Sequence, residues 1–115
     1  NNGDMRRDFT YIGDLVRGVV SVLDSPPIGT EKEAPHKVYN LGNNQTEPLL
    51  RYVEVLEKAI GRPAIKEFAP MQPGDVQETY ADITAIHNDF GFEPKISIDE
   101  GIPLFIDWFR DYHGM

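Results

Sequence analysis

The chain has 115 residues, which corresponds to one domain or part of one, and 40% of these residues are hydrophobic. It carries a formal net charge of −8 and contains no cysteine. The charge argues against nucleic acid or a membrane surface as a partner, because no basic run is present. The lack of cysteine excludes a disulfide framework and a thiolate metal site, and the three histidines share no metal-ligand spacing.

Neither a membrane span nor a signal peptide is visible in the sequence, so we expect a cytoplasmic protein. The opening residues 1–4 are polar and typical of a loop in the middle of a protein. We therefore expect a fragment of a longer chain.

The stretch from residue 6 to 14 combines two guanidinium groups with a short alternating aromatic run. Residues 9–12 have the period of two that is typical of a strand. Arg7 stands at the start of this run, where a fixed guanidinium can offer a bidentate fork to a phosphate or a carboxylate. The alternative is a surface arginine paired with Asp8 or Asp14.

A helix is predicted next, because apolar residues from Ile12 to Leu23 fall at helical spacing. Asp14 suits its N-cap or first turn. Residues 25–36 contain three prolines and are predicted to form a loop. Residues 37–41 then read as a short strand.

The middle of the chain predicts a second helix, with Thr46 as its N-cap and Gly61 just after its end. Residues 65–69 alternate weakly and are a strand candidate that leads into a turn at 70–75. That turn must fold back onto another part of the chain. Residues 78–81 are a further strand candidate.

Two more helices are predicted towards the end of the chain. Asp82 can cap a short one, and Ser97 begins a capping-box pattern for the last. Pro103 requires either a helix that begins nearer to it or a distorted first turn. Trp108 and Phe109 are expected to pack in the core. The fold class expected is α+β, with four helices and a few short strands.

The chemistry needed for catalysis is missing from the sequence. There is no glycine fingerprint for a dinucleotide, no Tyr followed four residues later by Lys, no nucleophile elbow and no phosphate-binding loop. The carboxylates do not form a convincing acid–base pair. The residues therefore suggest a chain that binds a ligand and does not catalyse a reaction by itself.

Six short motifs follow one another along nearly the whole chain. They are Arg7-Asp8-Phe9-Thr10-Tyr11-Ile12-Gly13-Asp14, Val38-Tyr39-Asn40-Leu41-Gly42, Pro73-Gly74-Asp75, Tyr80-Ala81-Asp82, Gly91-Phe92-Glu93-Pro94 and Glu100-Gly101. In this order they resemble the C-terminal part of extended short-chain dehydrogenase/reductase enzymes. The sequences of residues 71–76 and 107–112 are most similar to nucleotide-sugar epimerases of the UDP-glucuronate 4-epimerase type.

This resemblance implies a parent enzyme whose N-terminal Rossmann domain, absent here, holds NAD and the Tyr base. In such an enzyme the Tyr takes the proton of the sugar 4-hydroxyl while hydride passes from the sugar to NAD. The 4-keto sugar then turns over, and the hydride returns to the other face of the sugar. Residues 1–115 would be the C-terminal substrate-binding domain, which packs on that Rossmann domain and is inactive alone. The resemblance also implies a homodimer.

The resemblance further implies four substrate-binding residues and no catalytic, metal or NAD-binding residue in this chain. The position of Arg7 contacts the diphosphate in the family, and that of Asp75 accepts hydrogen bonds from ribose hydroxyls. The position of Gln72 is often Arg and reaches a phosphate, so the charge is missing here. Thr79 stands near the nucleotide, where a relative has Tyr. Gly13 replaces an Asp of many relatives, on the far side of the strand.

Two other interpretations remain at this point. The chain could be a non-catalytic acidic module that binds a protein through one helix. It could also be the same part of a nucleotide-sugar dehydratase or reductase, since the residues here do not identify the sugar.

Overall fold

The computed structural model describes residues 1–29, 31 and 34–115 of the chain. Residues 30, 32 and 33 of the loop predicted over 25–36 thus lie outside the described residues. The described part contains four helices and two short strands, as predicted for an α+β layout, and no helix in it is long and apolar enough to cross a membrane. In chain order the elements are β1 (Arg6–Asp8), α1 (Ile12–Asp24), β2 (Thr46–Pro48), α2 (Leu49–Ile60), α3 (Thr84–Phe90) and α4 (Ile98–His113).

β1 lies at the centre of the small sheet. It pairs antiparallel with β2, which places Arg7 opposite Glu47, and on its other edge Arg6 forms a parallel bridge with Glu78. The expectation that Thr46 would cap the second helix is wrong, because Thr46 belongs to β2 and α2 begins only after β2 ends. Glu47 precedes a proline, which favours extended backbone, and the edge of β1 supplies its hydrogen-bonding partners.

The strands predicted at 37–41 and 65–69 are absent, since neither segment is paired with another strand in the described structure. Alternation of side chains shows which way they would face, but a strand also needs a partner edge. The strand predicted at 78–81 is reduced to the single bridge at its first residue. Its last amide, that of Ala81, instead donates to the Asp8 carboxylate at 2.9 Å.

The larger core joins α2 to α4 and fixes the position of β1. Phe9, which directly follows β1, stacks on Tyr52 of α2 with the ring centroids 4.0 Å apart. Both rings pack against the buried side chains of this core. Those buried side chains are Val55, Ile98, Ile102 and Ile106.

α4 begins at Ile98 and runs through Pro103 without a break. The alternative in which the helix begins nearer to Pro103 is therefore wrong. Ser97 occupies the N-cap position as predicted, but its side chain makes no capping hydrogen bond. Trp108 and Phe109 are not core residues within this chain, because Trp108 is 56% exposed and Phe109 is 37% exposed. The buried face of α4 is the isoleucine row instead.

The smaller core packs α1 against α3 and the residues that follow α3. Gly18 of α1 is required here, because a Cβ at this position would lie 2.5 Å from a methyl of Leu41 and 3.0 Å from the ring of Phe92. Ile83 and Ile86 complete this core, and the side chain of Ile86 is fully buried. The close approach holds the segment before β2 against α1.

A buried carboxylate, that of Asp14, ties α1 to the segment before α4. Asp14 Oδ2 accepts hydrogen bonds from the amides of Lys95 and Ile96 at 2.8 and 2.9 Å, and Oδ1 accepts one from Arg17 at 2.7 Å. Burial acts to raise the pKa of Asp14, but these hydrogen bonds and the Arg17 charge together hold that pKa below its usual value. The first-turn acid predicted from the sequence is thus a structural link between distant segments.

We expect Asp14→Asn to lower the free energy of unfolding at pH 7 by about 1–3 kcal/mol, because a charge-assisted network is broken inside the protein. A folded-state pKa below the unfolded value means that this stabilisation is present above about pH 4 and is lost as the pH falls further. Urea unfolding at a series of pH values should therefore show a difference from wild type that shrinks in acid. Asp24→Asn, at the exposed end of α1, is the control. An equal loss for both variants would contradict this account of Asp14.

The outer face of α1 is apolar and exposed. A helix that is apolar on both sides is normally buried on both sides. Its inner side packs on the smaller core, and its outer side is not covered by any of the described residues. The exposed residues, which recur at helical spacing, are Ile12, Val16, Val19, Val20 and Leu23.

We expect the 115-residue chain alone to bind a hydrophobic dye or to self-associate through this outer face, because a continuous apolar patch is unfavourable in water. Val19→Lys should reduce the dye fluorescence or the dimer population. Ile28→Lys, at an apolar residue that is 96% exposed against 52% for Val19 but lies outside the helix, should leave both unchanged. A monomer that does not bind the dye would contradict the prediction that this outer face drives dye binding or self-association.

Candidate functional site

Arg7 and Arg6 contact different parts of the protein. Arg7 Nη2 lies 2.7 Å from Asp75 Oδ1, and Nη1 donates to the carbonyls of Arg6 at 2.8 Å and Gln77 at 3.2 Å. Its side chain is 22% exposed, against 45% for Arg6. The alternative in which Arg7 pairs with Asp8 or Asp14 is wrong. The Arg7 guanidinium is held in one orientation and still reaches the surface.

Arg6 is occupied on the other side of β1. Its guanidinium donates to the Thr46 hydroxyl at 3.0 Å and to the Thr46 carbonyl at 2.7 Å, and it lies 3.4 Å from Glu78. Successive residues of a strand point to opposite faces, so Arg7 meets Asp75 whereas Arg6 meets Thr46 and Glu78.

A tight turn presents the carboxylate of Asp75. The Asp75 amide donates to the carbonyl of Gln72 at 3.2 Å, and Gly74 has a φ of +86°, which other residues rarely adopt. Asp75 Oδ1 also accepts a hydrogen bond from the Val76 amide at 2.8 Å. The turn predicted at 70–75 therefore folds back as expected, onto β1.

Backbone hydrogen bonds dock the rest of this loop on β1. The Arg6 amide donates to the Gln77 carbonyl at 2.8 Å, and the Thr79 amide donates to the Arg6 carbonyl at 3.2 Å. The hydroxyl of Thr79 accepts from the Asp8 amide at 3.2 Å. Thr79 thus has a structural contact to β1, and its hydroxyl keeps one hydrogen to donate.

Gln72 and Asp75 both line a cleft of about 400 Å³. That volume lies within the range of small-molecule sites. The walls of the cleft are mostly apolar, and the segment predicted as a strand at 65–69 forms one of them. The apolar wall residues include Met5, Leu49, Leu50, Val53, Ile65 and Phe68.

In the part of the chain that the structure describes, positive charge near this cleft is scarce. Lys66 lines it, but its ammonium group pairs with Glu57. Gln72 offers only an amide, whose hydrogen bond to the Pro70 carbonyl is 3.5 Å long and therefore weak. Since the protein carries a net charge of −8, an anion at this rim would depend mainly on Arg7.

The site can therefore hold a ligand with three chemical parts. An apolar or planar group fits the cleft, a group with hydroxyls can donate to Asp75, and an anion can bind Arg7. Among the described residues, no group of three or more His, Asp or Glu side chains is arranged to hold a metal ion.

Sequence reasoning identified Arg7, Gln72, Asp75 and Thr79 and missed the part played by Asp8. The structure brings Arg7 and Asp75 into direct contact, places Gln72 beside Asp75 and uses Thr79 to dock the loop. The Asp8 carboxylate accepts hydrogen bonds from three backbone amides. A signal was available, since an acid at the end of a strand, beside turns rich in Asn and Gly, often accepts turn amides.

Comparison with known proteins assigns the chain to a family. The sequence model of the family described as GDP-mannose 4,6 dehydratase matches residues 1–104. A probable UDP-glucuronate 4-epimerase from Rhizobium meliloti is 41% identical over 119 residues, which cover 93% of this chain and 35% of the relative. Protein CapI from Staphylococcus aureus is 39% identical over 125 residues, covering 98% of this chain and 37% of the relative.

Among solved structures, the UDP-glucuronic acid 4-epimerase from Bacillus cereus in complex with UDP-glucuronic acid and NAD matches with a TM-score of 0.80. It is 31% identical, and the match covers 97% of this chain and 34% of that one. The chain thus spans about a third of the length of the relatives it matches.

Proposed function

Since this chain belongs to the GDP-mannose 4,6 dehydratase family, we propose that it is the UDP-sugar-binding, C-terminal part of an NAD-dependent nucleotide-sugar 4-epimerase. The proposed reaction interconverts UDP-glucuronate and UDP-galacturonate. One observation carries the proposal: the Arg7 guanidinium is held beside Asp75 at the rim of a cleft whose size suits part of a nucleotide. The similarity to a probable UDP-glucuronate 4-epimerase and to a UDP-glucuronic acid 4-epimerase supports the choice of epimerase and of a UDP-linked sugar.

Arg7 is proposed to bind the diphosphate. A guanidinium presents planar N–H pairs that match phosphate oxygens, and the Arg6 and Gln77 carbonyls keep this one from folding away. Its single counter-charge, Asp75, is itself partly exposed. A diphosphate with two or more negative charges can compete for the N–H groups without breaking the backbone contacts.

Asp75 is proposed to accept hydrogen bonds from the ribose hydroxyls. Its Oδ1 is already used by Arg7 and by the Val76 amide, and Oδ2 is available for hydroxyl donors. A ribose whose hydroxyls donate to Oδ2 would lie beside Asp75 at the edge of the cleft. The uracil base would then enter the apolar cleft.

Gln72 and Thr79 are proposed to add contacts without charge. The Gln72 amide can donate to a phosphate or a ribose oxygen from the rim of the cleft. The Thr79 hydroxyl accepts from the Asp8 amide and can donate its own hydrogen to the ligand. Because neither group is cationic, the charge-assisted part of binding rests on Arg7.

NAD does not fit the residues of this chain, which contain no glycine-rich turn between a strand and a helix. In the complete protein, NAD would supply the hydride transfer. The proposal therefore assigns NAD, the Tyr base and the sugar-ring contacts to an N-terminal Rossmann domain outside residues 1–115. It includes a cytoplasmic location and a homodimer for the complete protein.

The test uses the complete protein that contains this chain, incubated with NAD and UDP-glucuronate. The proposal expects UDP-galacturonate as the product, separated by ion-exchange chromatography. A 4-keto-6-deoxy product from GDP-mannose or dTDP-glucose would identify a dehydratase instead. No turnover of any nucleotide sugar, together with no binding of UDP, would overturn the proposed function.

A further inference from the structure

The carboxylate of Asp8 is an acceptor for two separate segments of backbone. Asp8 Oδ1 accepts from the amide of Asn43 at 2.8 Å. Asp8 Oδ2 accepts from the amides of Asn44 at 3.1 Å and Ala81 at 2.9 Å. One side chain therefore joins the end of β1 to the turn before β2 and to the segment before α3.

Close packing leaves this junction little freedom. A Cβ at Gly42 would lie 2.2 Å from the Cβ of Ala81 and 3.0 Å from Asp8 Oδ2. Glycine is therefore needed at position 42 for the two segments to meet at the carboxylate. Asn44 adopts a φ of +54°, an uncommon backbone conformation that its hydrogen bonds to Asp8 and Tyr80 help to hold.

The junction lies at one end of the loop that carries the candidate site. Residues 70–81 leave the main body near Ala69, whose carbonyl accepts from the Asn2 amide at 2.8 Å, and return to it at Ala81. Between these points the loop is attached to β1 by the backbone bonds of Arg6 and by the hydroxyl of Thr79. The Asp8–Ala81 hydrogen bond is the charge-assisted attachment at the returning end.

We propose that Asp8 is a positioning residue, which keeps the loop docked so that Asp75 stays opposite Arg7. This inference rests on the proposed function, because it assigns to Asp8 an effect on UDP binding without any contact to UDP. Asp8 is adjacent to Arg7 in β1, so the same strand fixes the guanidinium and the far end of the loop. A shift of the loop by about 1 Å would change the Arg7–Asp75 geometry on which diphosphate and ribose contacts depend.

Asparagine cannot replace this carboxylate, although it has the same shape. An amide has one oxygen and one NH2 group, whereas both oxygens of Asp8 accept from backbone N–H groups. In Asp8→Asn the NH2 group must face the amide of Asn43 or those of Asn44 and Ala81. At least one backbone donor then lacks an acceptor.

The matched control is Asp14→Asn. Asp14 also accepts from two backbone amides, but these belong to Lys95 and Ile96, which are not part of the loop or of the cleft. Both variants remove the charge of a carboxylate that accepts backbone amides. In Asp14→Asn the amide oxygen can keep Lys95 and Ile96, and the NH2 group then loses the contact with Arg17. If UDP binding weakens because stability is lost in general, both variants should show the effect. If it weakens because the loop is displaced, only Asp8→Asn should show it.

The experiment measures hydrogen exchange by mass spectrometry and UDP affinity by calorimetry in the complete protein. Asp8→Asn should speed exchange of peptides that cover residues 42–45 and 75–82 and should raise the Kd for UDP about tenfold. Asp14→Asn should change neither. If wild type binds UDP and Asp8→Asn leaves the Kd unchanged, the inference is overturned while the proposed function stands.

A double-mutant cycle separates positioning from general damage. Asp8→Asn should cost much less UDP affinity in an Asp75→Asn background, because the contact that Asp8 protects is already lost. Full additivity of the two effects would overturn the inference. If wild type does not bind UDP, the proposed function fails, and the exchange data decide alone: faster exchange at 75–82 in Asp8→Asn supports loop positioning and unchanged exchange rejects it.

Discussion

Arg7→Ala should weaken binding of UDP to the complete protein about ten- to a hundredfold, because a charge-assisted hydrogen bond to phosphate contributes roughly 1.5–3 kcal/mol. The structure gives two reasons to expect the upper part of this range: no second free cation lies nearby among the described residues, and Asp75 would lose its partner. Gln72 supplies no second cation, and Lys66 is paired with Glu57. Removal of Arg7 would also leave the Asp75 carboxylate without its partner beside a diphosphate of the same sign.

Arg7→Lys should recover only part of the affinity, since an ammonium is a point charge and cannot reproduce the planar fork. Arg6→Ala is the matched control, because Arg6 is the adjacent arginine of β1 but contacts Thr46 and Glu78. Its loss should change the Kd less than about threefold, as for other exposed charges.

Calorimetric titration of UDP into these three variants and wild type checks the prediction. Equal small losses for Arg7→Ala and Arg6→Ala would show that both are surface charges. A larger loss for Arg6→Ala would mean that the ligand binds on the opposite face of β1.

The second large effect concerns catalysis. The 115-residue chain alone, mixed with NAD and UDP-glucuronate, should form no UDP-galacturonate above a blank without protein. The physical reason is that it has neither a dinucleotide turn nor a tyrosine with a lysine four residues later. Carboxylates such as Asp8 and Asp14 are occupied by backbone amides and cannot act as a base.

The complete protein is the positive control in the same assay, and chromatography of the nucleotide sugars is the measurement. Addition of a separately produced N-terminal domain should restore turnover only if the two parts associate. Measurable epimerisation by the chain alone would contradict the division of roles proposed for the two parts.

Local signals in the sequence were sufficient for the helices. Apolar periodicity placed α1 and α2, and Ser97 marked the start of α4. The periodicity could not show which of the apolar residues on a helix are buried by other parts of this chain. Trp108 shares the spacing of core residues and is nevertheless exposed, because the α2–α4 contact uses the isoleucine row.

Strands were less predictable because they depend on partners that are distant in sequence. Thr46 is a residue type that often forms a helix N-cap, yet it belongs to β2 because it pairs with the edge of β1. Residues 37–41 have strand-like alternation but no paired neighbour in the described part of the chain. Alternation alone does not distinguish these two outcomes.

In the candidate site, too, the residues could be predicted from the sequence, but the contacts between distant residues could not. The resemblance to a family singled out Arg7 and Asp75, and composition identified the turn that carries Asp75. Their ion pair joins residues 68 positions apart and depends on how the loop docks on β1. That docking uses the backbone of Arg6, which has no sequence signal, and the carboxylate of Asp8, whose one signal is its position at the end of a strand.

The most direct test of the central claim is a crystal structure of the complete protein with UDP-glucuronate bound. The account predicts a diphosphate oxygen within about 3 Å of the Arg7 guanidinium and ribose hydroxyls at the Asp75 carboxylate. It also predicts the base in the cleft beside Gln72. A diphosphate bound elsewhere, with the Arg7–Asp75 pair intact and the cleft empty, would contradict it.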